Sequence, residues 1–256
     1  MSETQNKSRG VKDITPQRLY ALNHGVETTN LTECLAVDFR ELVQQVLPDL
    51  SEKKLAEIKA QADAGISRRM RLMATFILAE YGTAFIEKLS KHPSDTVRGW
   101  VCFMTGQQTD LTLPQRLDAI KPLADDRHFG VREWSWMAVR DDLAKNIEQA
   151  VNLLQPWTQN SSEYIRRFAT ESLRPRGVWC AHIGILKQNP QIVMPLLEAL
   201  KADPSPYVQD SVANWLNDAS KDRADWVQDL CLRWMENLPS KATQRICKRA
   251  MRSIRN

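Results

Sequence analysis

The phrase His92-Pro-Ser-Asp-Thr-Val-Arg-Gly-Trp-Val101 returns three more times along this chain. Its later versions are Asp126-Arg-His-Phe-Gly-Val-Arg-Glu-Trp-Ser135, Asn160-Ser-Ser-Glu-Tyr-Ile-Arg-Arg-Phe-Ala169 and Asp203-Pro-Ser-Pro-Tyr-Val-Gln-Asp-Ser-Val212. Each places a polar turn before a β-branched anchor. The anchors Val97, Val131, Ile165 and Val208 follow one another at spacings of 34, 34 and 43 residues. A turn that opens a helix at this period is the mark of helical repeats, none of which buries its apolar face alone. The expected fold is all-α: a HEAT-like α-solenoid, a superhelical stack of antiparallel helix pairs.

The rest of the chain agrees. Only nine glycines occur in 256 residues, and apolar residues recur three and four apart, as in Leu42, Val43, Val46 and Leu47 or Met70, Met73, Ala74, Ile77 and Leu78. Segments of roughly 10 to 18 residues are separated by breaks such as Pro48-Asp49, His92-Pro93-Ser94-Asp95 and Asp203-Pro204-Ser205-Pro206. The expected organisation is a flexible polar tail over 1–14 and one repeat domain over 15–256. A composition of 43% hydrophobic and 26% charged residues excludes a disordered or fibrous chain. No apolar run is long enough to span a membrane, and Met1 to Arg9 lacks the apolar centre of a secretory signal. Cys34, Cys102, Cys180, Cys231 and Cys247 are scattered, with no C-x-x-C pair, which argues against a disulfide framework or a zinc site. A cytoplasmic protein with reduced thiols is expected.

Several chemistries find no support. The Gly-rich phosphate loop, the dinucleotide fingerprint and the nucleophilic serine elbow are missing, so no cofactor and no metal are expected. His24, His92, His128 and His182 are isolated; His92 and His128 precede helix starts and read as turn residues, and a lone His182 is more often packing than a ligand.

Charge is informative in its placement. The 35 Lys and Arg barely exceed the 31 Asp and Glu, yet Lys241 to the end carries Lys241, Arg245, Lys248, Arg249, Arg252 and Arg255 without an acid. Steps of four and three put Lys241, Arg245, Lys248, Arg252 and Arg255 on one helical face, beside an apolar stripe of Cys247, Ala250, Met251 and Ile254. That face is either solvated or a phosphate contact.

Aligning the helices on their anchors separates core from face. Positions 0, 3, 4, 7 and 8 are mostly apolar. Positions 2, 6, 9 and 10 hold Glu133, Met137, Arg140 and Asp141 in the second repeat, Arg167, Glu171, Arg174 and Pro175 in the third, and Asp210, Asn214, Asn217 and Asp218 in the fourth. If repeats stack in register, Glu133, Arg167 and Asp210 line one groove, continued by Glu171, Arg174 and Asp218. Two explanations stand for acids among arginines. They are ion pairs between repeats, or the arginines hold phosphates while the acids stabilise a developing cation. Asp218, in Asn217-Asp218-Ala219-Ser220, is also placed to end one helix or cap the next. In Leu173-Arg-Pro-Arg-Gly-Val-Trp-Cys-Ala-His182, Pro175 and Gly177 end the helix and leave Arg174, Arg176 and Trp179 at its mouth. An aromatic among arginines suits stacking or cation–π contact, or else simple burial. Trp100, Trp134, Trp215, Trp226 and Trp234 fall at core spacings, and Trp136 is open.

Tyr164-Ile-Arg-Arg-Phe-Ala-Thr-Glu-Ser-Leu-Arg-Pro-Arg-Gly-Val-Trp179 resembles the signature stretch of bacterial AlkC-type DNA alkylation-repair glycosylases. Ser211-Val-Ala-Asn-Trp-Leu-Asn-Asp-Ala-Ser-Lys-Asp222, within Val208 to Asp225, is similar to that family's next repeat, and residues 30–90 resemble its helical N-terminal block more loosely. The resemblance implies a monomeric, nucleoid-associated solenoid that wraps duplex DNA. It implies hydrolysis of the N-glycosidic bond of cationic alkylated bases, 3-methyladenine and in this branch 3-methylcytosine, without base flipping. By position it makes Glu171, Asp218 and Glu133 the active-site carboxylates and Trp179 the aromatic wall. Arg140, Arg167, Arg174, Arg176, Lys221, Lys241, Arg245 and Lys248 are then the expected DNA contacts. Some relatives add an immunoglobulin-like domain; this sequence runs to Asn256 without one, so the basic last helix is expected to replace its contacts.

The chemistry is coherent. A cationic base leaves without protonation, so what remains is positive charge growing on the deoxyribose, which carboxylates stabilise while one orients water. The alternative is a non-catalytic HEAT scaffold that binds DNA structure or a protein partner. Such a scaffold needs the arginines but not the Glu171, Trp179 and Asp218 set.

Overall fold

In the computed structural model, which describes residues 10–177, 179–236 and 239–254, each repeated phrase opens a helix and each anchor is buried. The chain divides into two compact units, Met1–Gln108 with Arg127–Trp134, and Thr109–Asp126 with Ser135–Asn256. The first contains α1 (Pro16–Asn23), α2 (Leu31–Ala36), α3 (Phe39–Val46), α4 (Glu52–Lys59), α5 (Ile66–Tyr81), α6 (Phe85–Ser90) and α7 (Asp95–Gly106). The second contains α8 (Leu113–Ala124), α10 (Ile147–Leu154), α11 (Glu163–Glu171) and α12 (Gly184–Gln188). It continues with α13 (Met194–Leu200), α14 (Pro206–Ala219), α15 (Ala224–Met235) and α16 (Lys241–Ala250). The helix α9 (Phe129–Lys145) falls in the first unit up to Trp134 and in the second beyond it. The architecture is all-α and HEAT-like, and no strand occurs among the described residues.

The Val-Arg signature is architectural. Arg98 donates to the carbonyls of His92 and Pro93, both at 2.8 Å, and Arg132 donates to that of Arg127 at 2.9 Å. Arg166 donates to those of Asn160 and Ser161, both at 2.9 Å. Gln209 does the same to Asp203 at 2.8 Å. The residue after each anchor thus reaches back and satisfies the turn that precedes its own helix. A second device repeats with it: His92, Asn160 and Asp203 each accept, through a side-chain atom, the N–H two residues on, at 3.0, 2.9 and 2.8 Å. His128 accepts from Gly130 N–H in the same way at 3.1 Å, so both histidines are turn residues, as expected. These bonds occupy backbone groups that would otherwise be orphaned at helix starts.

Core residues follow the periodicity. In the first unit Leu42, Val43, Met70, Ala74, Ile77, Val97, Trp100 and Val131 are buried. There Gly99 lets α7 come close to its neighbours: an added Cβ would sit 2.4 Å from Met70 Cε and 2.7 Å from Trp134 Cδ1. In the second unit Ile165, Phe168, Leu197, Val208, Val212, Trp215 and Ile246 form the interior.

Some boundaries differ from expectation. Of the tail over 1–14, residues 1–9 lie outside the described residues, and Val11–Asp13 form a 3-10 turn. The last α-helix ends at Ala250 and gives way to a 3-10 turn, Met251–Ser253. Met251 is therefore exposed and Ile254 only half-buried, while Thr243 and Ile246 join Cys247 and Ala250 in the buried stripe. Arg255 lies outside the described residues. Several helices, α2, α6 and α12 among them, are shorter than the segments expected.

Candidate active site and nucleic-acid interface

The candidate site grows from the way α11 ends. Pro175 has no N–H to continue the helix, so the carbonyls just past its end at Glu171 need other donors. Side chains from neighbouring helices supply them. Arg140 Nη1 donates to Ser172 O at 2.8 Å, Trp215 Nε1 to Leu173 O at 2.8 Å and Arg140 Nη2 to Arg174 O at 2.6 Å.

With the backbone held this way, the Arg174 side chain bridges two carboxylates. Its Nη1 donates to Glu171 Oε1 at 2.9 Å, and its Nε donates to Asp218 Oδ2 at 2.8 Å while Nη2 lies 2.7 Å from the same oxygen. Ser211 Oγ, from α14, donates to Glu171 Oε2 at 2.7 Å, and Arg167 Nη2 approaches that oxygen at 3.6 Å. Lys221 Nζ donates to Asp218 Oδ1 at 3.2 Å. Glu171 is 3% and Asp218 4% exposed. Burial by itself would raise the Glu171 pKa; the charges of Arg167 and Arg174, with hydrogen bonds from Arg174 and Ser211, prevail and hold it below the ordinary value. Burial likewise pulls against the Arg174 charge, but Glu171 and Asp218 outweigh it and raise its pKa. Asp218 stands in the last turn of α14 and is spent on these cations, not on capping a following helix.

Trp179 lies eight residues beyond Glu171, in the loop that follows. It is 49% exposed, and it is the one exposed tryptophan of the eight. Trp136, left open by spacing, is buried, and Trp226 is half-buried. The Trp179 backbone sits at φ 59°, a left-handed conformation that is costly for an aromatic L-residue. Val178, within the quoted signature, lies outside the described residues.

The other expected contacts divide. Arg167 keeps a place in the cluster, with its guanidinium 4.4 Å from the Tyr207 ring centroid. Arg176 grips Asp222 through Nε and Nη2 at 2.9 to 3.1 Å. Arg140 corrects the expectation of a phosphate contact. It is 1% exposed, and its donors go to main-chain carbonyls because its helix runs on to Lys145 and carries the side chain inward. Glu133 is half-buried on the part of α9 that belongs to the first unit, whereas Arg167, Glu171, Asp210 and Asp218 all lie in the second. Asp210 pairs with Arg245 at 2.7 Å and Arg249 at 3.0 Å, not with Arg167. Lys241 and Lys248 are exposed on α16, and Arg252 donates to Asn214 at 2.9 Å. His182 is exposed and not packed in the interior.

Ser211 and Tyr207 were missed by spacing. Ser211 occupies an anchor-plus-three position that reads as core, and only its contact with Glu171 distinguishes it. Asn217, counted with the groove, instead donates to Ala250 O at 3.0 Å and closes the end of α16.

Among solved structures, the chain is similar to the alkylpurine DNA glycosylase AlkC of Pseudomonas fluorescens bound to DNA containing an abasic site analog. The TM-score is 0.67 and the identity 24%, over 96% of this chain and 65% of that one. The fold is the AlkC/AlkD HEAT-like one. AlkD2 from Streptococcus mutans shares it at TM-score 0.61 and 24% identity, over 80% of this chain and 99% of that one. The smu.31 structure from Streptococcus mutans UA159 gives TM-score 0.61 and 24% identity, over 79% and 98%. In sequence, the uncharacterized protein YhaZ of Bacillus subtilis (strain 168) is 36% identical over 137 residues, 54% of this chain and 37% of YhaZ. The chain thus spans well under two thirds of this curated relative and just under two thirds of AlkC. No protein-family model matches it. No described helix is long and apolar enough to cross a membrane.

Proposed function

We propose that this chain is a DNA glycosylase that hydrolyses the N-glycosidic bond of cationic alkylated bases in duplex DNA, 3-methyladenine first and 3-methylcytosine second, without flipping the base. The observation that carries this assignment is that Glu171 is held ionised by Arg167, Arg174 and Ser211, beside a second carboxylate from the next repeat. A carboxyl with a depressed pKa is a poor general acid and a good fixed anion. That suits a leaving group that already carries its positive charge and needs no proton.

The route has a definite first step. Arg167, Arg174 and Lys221 are three cations set against the two carboxylates of Glu171 and Asp218. DNA phosphates compete for Arg167 and Lys221; as those side chains turn outward, the negative charge of the carboxylates is less neutralised and acts on the deoxyribose. The anions then stabilise the oxocarbenium-like sugar, and one of them orients the attacking water. The Trp179 face meets the cationic base or the sugar edge. The protein acts in this scheme as a monomer on the DNA of a bacterial nucleoid.

One observation favours a second assignment, a DNA-binding scaffold without catalysis: both carboxylates are buried and already paired. Base release from methylated duplex DNA decides between them. Release of 3-methyladenine by the native protein, lost in folded Glu171→Gln and Asp218→Asn, supports the glycosylase. Salt-sensitive duplex binding without release of any alkylated base overturns it and leaves the scaffold.

A further inference from the structure

Arg140 is the most deeply buried arginine among the described residues, and it makes no ion pair there. A desolvated guanidinium without a carboxylate must be compensated by oriented dipoles, and here main-chain carbonyls provide them. Beyond Ser172 O and Arg174 O, it reaches Ala181 O from Nη2 at 3.2 Å and from Nε at 3.4 Å. These three carbonyls bracket the stretch that carries the Arg174, Arg176 and Trp179 side chains.

The loop is fitted to this hub. Ile183 N–H closes its base on Pro175 O at 3.0 Å. Gly177 passes against the guanidinium: an added Cβ would lie 3.3 Å from Arg140 Cζ and Nη2 and 2.2 Å from Cys180 Sγ. Trp136, one turn earlier on α9, places its ring 5.9 Å from the same guanidinium. Two residues past Gly177 comes Trp179 at φ 59°. An L-residue stays in that region only where its surroundings over-determine it, and a loop released from its anchor relaxes toward negative φ and re-aims the indole.

We propose that Arg140 is the positioning residue of this site, a guanidinium clamp that fixes the backbone at Ser172, Arg174 and Ala181 and so sets the direction of the Trp179 indole and of Arg174. Its consequence for rate rests on the glycosylase assignment; its consequence for the indole does not. The planar fork reaches its three carbonyls from three separate nitrogens, whereas the three donors of an ammonium all leave one nitrogen, so Arg140→Lys keeps charge and loses geometry.

The test compares Arg140→Lys with the native protein and uses Gly177→Ala as a second variant, which keeps the arginine and crowds its guanidinium and Cys180 from the loop side. Acrylamide quenching of Trp179 is read as the difference between each protein and its Trp179→Phe counterpart. Single-turnover release of 3-methyladenine and duplex affinity are measured beside it. The clamp predicts altered Trp179 quenching in both variants, release slowed by about 10²-fold, and affinity held within about threefold because many contacts share it. If Arg140→Lys fails to fold, Gly177→Ala carries the test. Native quenching and native release rate in the folded variants overturn the clamp. If the native protein releases no base, the glycosylase assignment fails, and the quenching result still upholds or overturns the clamp.

Discussion

Replacing Glu171 by Gln removes one charge and almost no volume, so its effects on folding and on chemistry can be worked separately. In the folded protein Glu171 accepts from Arg174 and Ser211 and faces Arg167. Breaking a buried pair costs about 3–5 kcal/mol when it strands the partner charge. Here Arg174 is not stranded, because two of its nitrogens remain 2.8 and 2.7 Å from Asp218 Oδ2. The glutamine carbonyl also remains an acceptor for Ser211. The expected loss is therefore smaller, about 1–2 kcal/mol, or roughly 2–8 °C in Tm for a chain of this size. The loss in chemistry is larger. Removing a preorganised charge aimed at a developing transition-state charge costs about 3–4 kcal/mol, or about 10²–10³-fold in single-turnover base release.

The pH dependence follows from sign. The folded-state pKa of Glu171 is depressed, so its stabilising contribution is fully present above its unfolded value and is lost as pH falls through the folded value. The stability gap between native protein and Glu171→Gln should be constant near neutrality and shrink in acid, below about pH 4.3. Urea unfolding at pH 7 and in acid, beside release of 3-methyladenine from methylated duplex, reads both quantities. Release within a few-fold of native from a folded variant would refute the electrostatic role. Unfolding of the variant at pH 7 would show that the ion pairs serve only the fold.

Other perturbations have equally definite signs. Trp179→Gly places the one unrestricted residue at φ 59°, so relief of about 1–2 kcal/mol offsets lost packing of a half-exposed ring. Its Tm should stay near native while base release falls; a large Tm loss would show the indole to be a core residue. Trp215→Ala, which empties a fully buried site and frees Leu173 O, should cost about 3–5 kcal/mol by urea unfolding. Lys241→Glu with Lys248→Glu should leave stability unchanged and flatten the slope of log affinity against log salt by about 2, if both meet phosphate. Asp210→Asn should do the opposite, because it releases Arg245 and Arg249, and duplex titrations at several salt concentrations would show a steeper slope and tighter binding. Salt slopes unmoved by either change would take α16 out of the DNA interface.

Much of the fold was legible in the chain itself. The recurrence of a polar turn, a β-branched anchor and an apolar three-four rhythm is a local pattern, and it located the starts of α7, α9, α11 and α14 without any knowledge of neighbours. Pro175 announced the end of α11, and the run of basic residues announced the charge on α16. Which polar groups meet was not legible, because that depends on where a side chain points once its helix is packed. Arg140 and Arg174 show the difference. Both stand nine residues after their anchors, so periodicity treats them alike. The helix of Arg140 continues to Lys145 and turns the guanidinium inward, whereas that of Arg174 has already ended at Glu171, leaving its side chain to span Glu171 and Asp218. Asp210 and Asp218 occupy face positions on one helix, yet one holds α16 and the other holds Arg174. Turns, anchors and apolar spacing alone make this a helical repeat protein with acids and arginines set at face positions. Which of those charges are paired, which are buried, and that Trp179 is exposed are set by packing, because hydrogen bonds and ion pairs form across a few ångströms between residues about 40 apart in the chain.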